Sequence, residues 1–299
     1  MNQELILKLR EAYHACMREP SGDYSPTIRR RRLSEELRRL RLARGLTLEQ
    51  VAEKLEWSRA KIANIETGKR LRPYVTDVEL LLNVYGVDDP DQRAALLDLT
   101  RQSRTKGWWA SYGGLLGDYV GMEAEASSIA TYQLGAIPGL LQTFDYAVAL
   151  AQAMRYPPED VERIAASRVR RQQLFARKNP PRFHAVIDEA ALIRPAAPDR
   201  PDVMRAQIHH LINRANDANV TLQLLPFTAG LHAGVSGPFV LLEFPDPADR
   251  PVVYLETRAG GHYLEDTAEI TEYQDLFTHL HTTALSHEAT VARLAQLAE

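Results

Sequence analysis

Residues 45–70 read GLTLEQVAEKLEWSRAKIANIETGKR and contain two helix-start signals and one stop signal. Thr47, with Gln50 three residues later, has the spacing of a capping box, and Ser58 is a second N-cap candidate. Apolar residues follow each start at helical spacing, and Gly68 suits a left-handed helix terminus. The stretch therefore predicts two short helices joined by a tight turn.

The second predicted helix carries side chains with the chemistry of base readers. Arginine and lysine donate to guanine O6 and N7, and asparagine pairs with adenine N6 and N7. We therefore predict major-groove base contacts for Arg59, Lys61 and Asn64. The surrounding polar and cationic residues are predicted to contact phosphates: Thr47, Gln50, Ser58, Lys69, Arg70, Arg72, and the run Arg29, Arg30, Arg31 and Arg32. The alternative is the solvated charged face of an ordinary helix pair.

Positive charge is concentrated around this stretch, although the whole chain has a formal net charge of -3. Residues 28–72 contain 14 lysines and arginines against 6 glutamates, a local balance of +8 that suits a phosphate backbone. The four arginines at 29–32 precede the first predicted helix, where they suit phosphates or a narrow minor groove. A solvated basic linker is the alternative for that run.

The segment Leu33–Val87 resembles the XRE, or Cro-type, helix-turn-helix family, in which a further helix, here beginning at Leu33, precedes the pair. The resemblance implies a structural ion pair between Arg41 and Glu66. Two residues depart from the family pattern, because Leu48 stands where glutamine commonly contacts phosphate and Glu56 stands where glycine is common in the turn. Glu56 is therefore expected to adopt a strained backbone conformation.

Length and composition are those of an ordinary globular protein. The 299 residues are 45% hydrophobic and 25% charged, which is enough for about two domains. The single cysteine, Cys16, excludes an internal disulfide and a cysteine-based zinc site, and we expect no metal and no cofactor. No apolar run reaches a membrane-spanning length, and the N-terminal segment is unlike a signal peptide. We therefore expect a cytoplasmic, nucleoid-associated protein without a membrane partner.

Proline and glycine punctuation predicts three parts. Residues 1–27 are a helical extension and linker, residues 28–105 the helix-turn-helix domain, and residues 106–299 a regulatory or interaction domain. The predicted fold class is a mainly α N-terminal domain followed by an α+β domain with a small, mostly antiparallel sheet. In the last part, strand patterns lie near 183–187, 221–226, 239–244 and 252–256, and a helical pattern lies near 123–133.

The C-terminal part offers a conceivable polar site but no catalytic motif. Counted from residue 107, it has 15 basic and 23 acidic residues, a balance of -8, so we do not expect it to contact DNA. A polar site could form from Tyr254, Glu256, His232, Glu243 and His262. No phosphate-binding glycine loop, metal-spaced histidine pair or nucleophile elbow is present, so satisfied structural residues are the alternative. We expect no enzyme.

Four segments resemble a family of regulators common in filamentous actinobacteria: KGWWASY at 106–112, GMEAEASSI at 121–129, IPGLLQT at 137–143 and VYLET at 253–257. Members join an XRE-type reader to an antitoxin-like C-terminal domain, as in toxin–antitoxin regulators of the Scr type. The resemblance spans nearly everything from Ser25 on. It implies transcriptional control and a small partner protein encoded nearby.

These observations favour a DNA-binding transcriptional regulator over two other functions. We expect a homodimer that binds double-stranded operator DNA at an inverted repeat, with a recognition helix at about 58–67. The C-terminal domain would then serve dimerisation and partner or signal binding. The alternatives are an antitoxin-like protein that sequesters a small protein from a neighbouring gene, and a repressor that senses a small-molecule ligand on residues 106–299.

Overall fold

A computed structural model describes residues 26–70, 72–105, 109, 118–247, 249–258 and 260–299. These residues fall into two compact units, within 26–109 and within 118–299, and each unit is described by itself. Residues 1–25 of the predicted extension, and the predicted domain boundary at residue 106, lie outside the described residues.

Helices alone form the described part of the first unit. Their bounds are α1 Pro26–Ala43, α2 Leu48–Leu55, α3 Arg59–Glu66, α4 Val75–Tyr85 and α5 Pro90–Ser103. They pack around one apolar cluster that includes Leu37, Val51, Ile62, Leu81 and Leu96, one from each helix. Helices α2 and α3 are the pair predicted from residues 45–70, and this shared core fixes their mutual arrangement.

Local capping sets the ends of the helix pair as predicted. The Gln50 N–H donates to Thr47 Oγ1 at 3.2 Å, and the Thr47 N–H donates to Gln50 Oε1 at 2.9 Å, which completes the capping box. The Lys61 N–H donates to Ser58 Oγ at 3.2 Å. Glu56 has φ 53° and ψ 37°, the left-handed conformation expected for the turn. The predicted starts of both helices and the strained turn are confirmed.

Helix α1 begins at Pro26, earlier than the predicted start at Leu33. Proline suits the first helical position, and arginine is a good helix former, so nothing stops a helix through the basic run. Pro26 and Thr27, assigned to the extension, form the first turn of α1. The interpretation of residues 29–32 as a segment before the first helix, whether arm or linker, is wrong.

The second unit contains a six-stranded mixed sheet. Its strands are β1 Ser128–Gln133, β2 Arg182–Asp188, β3 Val220–Leu225, β4 Phe239–Glu243, β5 Val252–Thr257 and β6 Gly260–Leu264, in the order β3-β2-β1-β4-β5-β6. Strands β1, β2 and β3 pair in parallel, whereas the β1–β4, β4–β5 and β5–β6 pairings are antiparallel. The predicted α+β class with a mostly antiparallel sheet is confirmed. The helix predicted near 123–133 is wrong for residues 128–133, which form β1.

Seven α-helices accompany this sheet in the described residues. They are α6 Tyr119–Glu125, α7 Phe144–Ala153, α8 Pro158–Arg171, α9 Glu189–Ile193, α10 Pro201–Ala215, α11 Thr267–Thr283 and α12 His287–Ala298. Apolar side chains of the sheet pack against α11 in one cluster that contains Tyr132, Val186, Phe239, Val253 and Phe277. The sheet and its helices thus have a core of their own.

Candidate nucleic-acid interface

Helix α3 exposes two of the three predicted base-contacting side chains. Arg59 is its first residue, and Asn64 lies in its second turn; both are exposed. Ala60, next to Arg59, is small and also exposed. Arg59 and Asn64 are therefore available to base edges without any rearrangement of the helix.

Lys61, the third predicted base contact, is held inside the unit. Its Nζ lies 2.9 Å from Asp77 Oδ1 and 3.3 Å from the centroid of the Trp57 ring. Only 28% of its side chain is exposed. A base contact by Lys61 would require the ammonium to leave both partners. In the structure it links the first turn of α3 to the first turn of α4.

The three cations that follow α3 divide into one bound and two exposed side chains. Arg70 is half-buried, with Nη2 3.8 Å from Asp77 Oδ2 and its guanidinium 5.0 Å from the Tyr74 ring centroid. Lys69 and Arg72 are exposed. Lys69 and Arg72 thus present their charge outward next to the end of α3.

A carboxylate, which the sequence analysis did not single out, lies beside the first residue of α3. Glu49 Oε1 is 2.6 Å from Arg59 Nε, and the two side chains are 64% and 68% exposed. A hydrogen bond from its own backbone N–H, and the nearby Arg59 cation, lower the pKa of Glu49. The periodicity of α2 identifies Glu49 only as an outward residue, and its cationic neighbour is on another helix.

The predicted phosphate contacts at the helix starts are exposed as well. Thr47, Gln50 and Ser58 all lie at the N-terminal ends of α2 and α3 and cap backbone N–H groups. Helix N-termini carry partial positive charge and favour anions. These three residues therefore sit where a phosphate would be favoured, with part of their hydrogen-bonding capacity used by the caps.

A buried ion pair connects the end of α3 to α1. Arg41 Nε is 2.9 Å from both carboxylate oxygens of Glu66, and Arg41 Nη1 donates to the Leu46 carbonyl at 2.7 Å. This is the pair that the family resemblance implied. Tyr85, which the sequence analysis did not connect with it, donates from its hydroxyl to Glu66 Oε1 at 2.6 Å. Burial and the contact with Glu66 raise the pKa of Tyr85.

The four arginines near the start of α1 are less available than their sequence suggests. Arg30 is buried, and Arg29, Arg31 and Arg32 are half-buried. Arg31 Nε lies 3.3 Å from Glu35 Oε1. Phosphate contacts by this run stay a prediction, and they would have to be made from a helix rather than from an extended arm.

The polar site considered for the C-terminal part is not assembled. Glu243 pairs with Ser128 at the start of β1, whereas His232 packs edge-on against Tyr132 near the end of the same strand. His232 Nε2 lies 3.4 Å from Asp188 Oδ2, and Tyr254 stacks on other tyrosines. His232 and Glu243 thus lie near opposite ends of β1.

Two family models match the chain, one in each unit. A helix-turn-helix domain matches residues 32–96, which contain α2, α3 and α4, and this supports a DNA-binding regulator. A domain of unknown function, DUF5753, matches residues 116–296, more than half of the chain. The chain belongs to the DUF5753 family. No curated protein and no solved structure matches it significantly.

In this DUF5753 protein the family region corresponds to the unit that contains the sheet. Across the described residues of both units, no group of three or more histidine, cysteine, aspartate or glutamate side chains is placed to hold a metal ion. Over the same residues, every helix is too short or too polar to cross a bilayer. The candidate functional surface is the exposed face of α2, α3 and the turn after α3, within the region that matches the helix-turn-helix domain.

Proposed function

We propose that this DUF5753-family chain is a sequence-specific transcriptional regulator that reads the major groove with helix α3. The observation that carries the proposal is the exposure of Arg59 and Asn64 on a short helix that is capped at Ser58 and buried on its other side. Arginine at the start of such a helix suits guanine, and asparagine suits adenine. The match to a helix-turn-helix domain supports the same role.

Phosphate contacts would come from the surroundings of α3. Lys69 and Arg72 are exposed beyond its end, and Thr47 lies at the start of α2. For Lys61 we propose a contribution through its charge and through its bond to Asp77, because its ammonium is 2.9 Å from that carboxylate. The local balance of 14 basic against 6 acidic residues over 28–72 supports binding to a polyanion.

We further propose that the protein acts as a homodimer on an inverted repeat. One α3 helix reads only a short half-site, and dimeric readers of this type place their half-sites about 34 Å apart, one turn of the duplex. The C-terminal unit is our candidate for dimerisation and for binding a partner or signal. Its exposed apolar side chains at Phe227, Leu231 and Val235, which are 58%, 97% and 60% exposed, support an interaction role.

The test is an unbiased selection of duplex DNA by the purified full chain from a random-sequence library. We expect a recovered motif with two-fold symmetry, and tighter binding to the recovered duplex than to a scrambled duplex of equal length and composition at every salt concentration. Light scattering after size-exclusion chromatography should give the mass of a dimer on one duplex. Absence of any sequence preference would overturn the proposed function.

The antitoxin-like alternative makes a different prediction for the same protein. If the essential act is sequestration, the full chain should co-purify with a small neighbouring-gene protein in fixed stoichiometry, and operator binding would then serve autoregulation. The ligand-sensing alternative instead predicts that a small molecule raises the melting temperature and releases DNA, because a ligand that binds only the folded state stabilises it.

A further inference from the structure

The ion pair between Glu49 and Arg59 joins the two helices of the proposed reader on its exposed side. Glu49 lies in the first turn of α2 and Arg59 is the first residue of α3, with 2.6 Å between Oε1 and Nε. Both side chains remain about two-thirds exposed. The contact therefore engages Arg59, the residue that we propose to read a base, and it lies at the protein surface.

A carboxylate in the first turn of α2 suits the helix dipole, but this does not explain why it contacts Arg59. An exposed ion pair contributes little to folding, because solvent screens it and both side chains lose freedom. The helix pair already has two side-chain caps and a buried core. Next to phosphates a negative charge is repelled, so a carboxylate here should lower the overall affinity of the proposed reader for DNA. A group that weakens binding to every duplex can still increase discrimination between duplexes.

We infer that Glu49 is a specificity-determining residue of the proposed DNA reader, acting through Arg59. An unrestrained arginine at the start of α3 can donate to any nearby phosphate, and such a contact carries no sequence information. The Glu49 carboxylate contacts that guanidinium at Nε, 2.6 Å away, and so orients Nη1 and Nη2 as a pair. Phosphate also offers two oxygens to a guanidinium, so the preference for guanine O6 and N7 rests on this fixed orientation and not on the number of acceptors. The inference rests on the proposed function.

Asp77 provides an internal contrast within the same surface. Its side chain is 11% exposed and holds Lys61 at 2.9 Å, so it is part of the packed link between α3 and α4. Glu49 is 64% exposed and contacts Arg59 at the surface. Removing the charge of Glu49 should therefore change DNA binding with little effect on stability, whereas removing that of Asp77 should lower stability.

The experiment compares the full chain with Glu49→Gln, which keeps the size and removes the charge. Glu79→Gln is the matched control, because Glu79 is exposed on α4 and gives the same change in net charge. The probes are the duplex recovered by selection with the wild-type protein and its scrambled counterpart, each titrated over a salt series. Arg59→Ala and the double variant Arg59→Ala with Glu49→Gln complete the cycle.

We expect Glu49→Gln to bind the scrambled duplex about three- to tenfold more tightly, with a salt dependence steeper by about 0.9 in log–log slope, as one more cation becomes available to phosphate. The affinity for the recovered duplex should increase less, so the ratio of the affinity for the recovered duplex to that for the scrambled duplex should fall. In the Arg59→Ala background, Glu49→Gln should no longer change base preference. The melting temperature of Glu49→Gln should fall only slightly, because an exposed charge in the first turn of α2 contributes little to folding.

Two results would overturn the inference while leaving the proposed function intact. One is an unchanged affinity ratio for Glu49→Gln in a protein whose wild type discriminates between the duplexes. The other is an equal change for Glu49→Gln and Glu79→Gln, which would assign the effect to net charge alone. If the wild type itself shows no preference, the proposed function fails, and that outcome is visible before any variant is measured.

Discussion

The Lys61 ammonium lies 2.9 Å from the Asp77 carboxylate, and this contact ties the first turn of α3 to the first turn of α4. The Trp57 ring, 3.3 Å below the same ammonium, adds a cation–π contact from the turn between α2 and α3. Helix α3, the proposed reader, is thus connected on both sides to the elements that flank it. Its position depends on a charged group that sequence spacing alone would assign to DNA.

Asp77→Asn should destabilise the protein and increase non-specific DNA binding together. A hydrogen bond between charged groups contributes about 1.5–3 kcal/mol when partly buried, so we expect a loss within that range in urea unfolding. Lys61 and Arg70, released from the carboxylate, should steepen the salt dependence of binding to scrambled DNA. An unfolding free energy equal to that of the wild type would show that the link carries no stability.

Arg59→Ala and Asn64→Ala should relax base preference at separate positions of the recovered motif. Each loss should be about 1–3 kcal/mol at the contacted base pair and near zero elsewhere, because a bidentate contact discriminates only the base that it touches. Competition binding against single-substituted duplexes measures this. Unchanged discrimination in either variant would remove that residue from the reader.

Lys69→Ala is the counterpart for phosphate contacts. Lys69 is exposed beyond the end of α3, so its loss should weaken binding to the recovered and scrambled duplexes by the same factor. The salt slope should become shallower by about 1. A loss confined to one base position would instead make Lys69 a base reader.

Glu56→Gly should stabilise the protein. Glu56 is held at φ 53°, a left-handed conformation that costs a non-glycine residue about 1–2 kcal/mol, and glycine avoids that penalty. We expect the free energy of unfolding, measured by heat or urea, to increase by about 1 kcal/mol. Gly68→Ala is the opposite test: at φ 70° an added Cβ would lie 3.5 Å from Ser34 Oγ, an ordinary contact, so any loss there reports backbone strain alone.

Local signals predicted the helix pair correctly, and tertiary context decided the regions where prediction failed. Capping at Thr47 and Ser58 involves residues only three positions away, so it can be recognised from the sequence. Strand β1 is different. Ile129, Thr131 and Tyr132 suit a strand, but they follow the helical stretch Tyr119–Glu125 closely, and pairing with β2 on one side and with β4 on the other makes this segment a central strand. Those partners lie about 50 and 110 residues further along the chain.

The sequence predicts the residue types of the candidate site, but it does not predict which of these residues form ion pairs with one another. The exposure of Arg59 and Asn64 follows from the apolar stripe of α3, which the sequence displays. The partner of Lys61 lies on another helix, 16 residues away, and that of Arg59 is on α2. Nothing in the local pattern indicates these ion pairs, because they depend on how the helices cross.

Arg41→Met should destabilise the first unit by about 3–5 kcal/mol, since it leaves the buried Glu66 carboxylate without its cation. Tyr85→Phe, which removes one hydrogen bond to the same carboxylate, should have a smaller effect of about 1.5–3 kcal/mol. Urea unfolding of both variants gives the order. A loss of only about 0–1 kcal/mol for Arg41→Met, the range of exposed pairs, would contradict a supporting role for this ion pair.

Acid should destabilise the second unit partly through His184. Burial lowers the pKa of His184 below its ordinary value of 6.5, against the opposing effect of its hydrogen bond to Gln223. The folded chain then binds a proton less readily than the unfolded chain. The resulting stability is therefore complete above pH 6.5 and is lost progressively as the pH falls below that value towards the folded-state pKa.

His184→Gln should flatten this part of the stability–pH curve, because glutamine does not titrate and its amide can still donate to Gln223. His210, whose pKa burial also lowers, keeps its own contribution in that variant, so the slope should decrease without vanishing. Free energies of unfolding, measured for wild type and variant at intervals from pH 8 to pH 5, separate the contribution of His184 from that of His210. An identical slope for wild type and variant would show that His184 is as easily protonated in the folded chain as in the unfolded one.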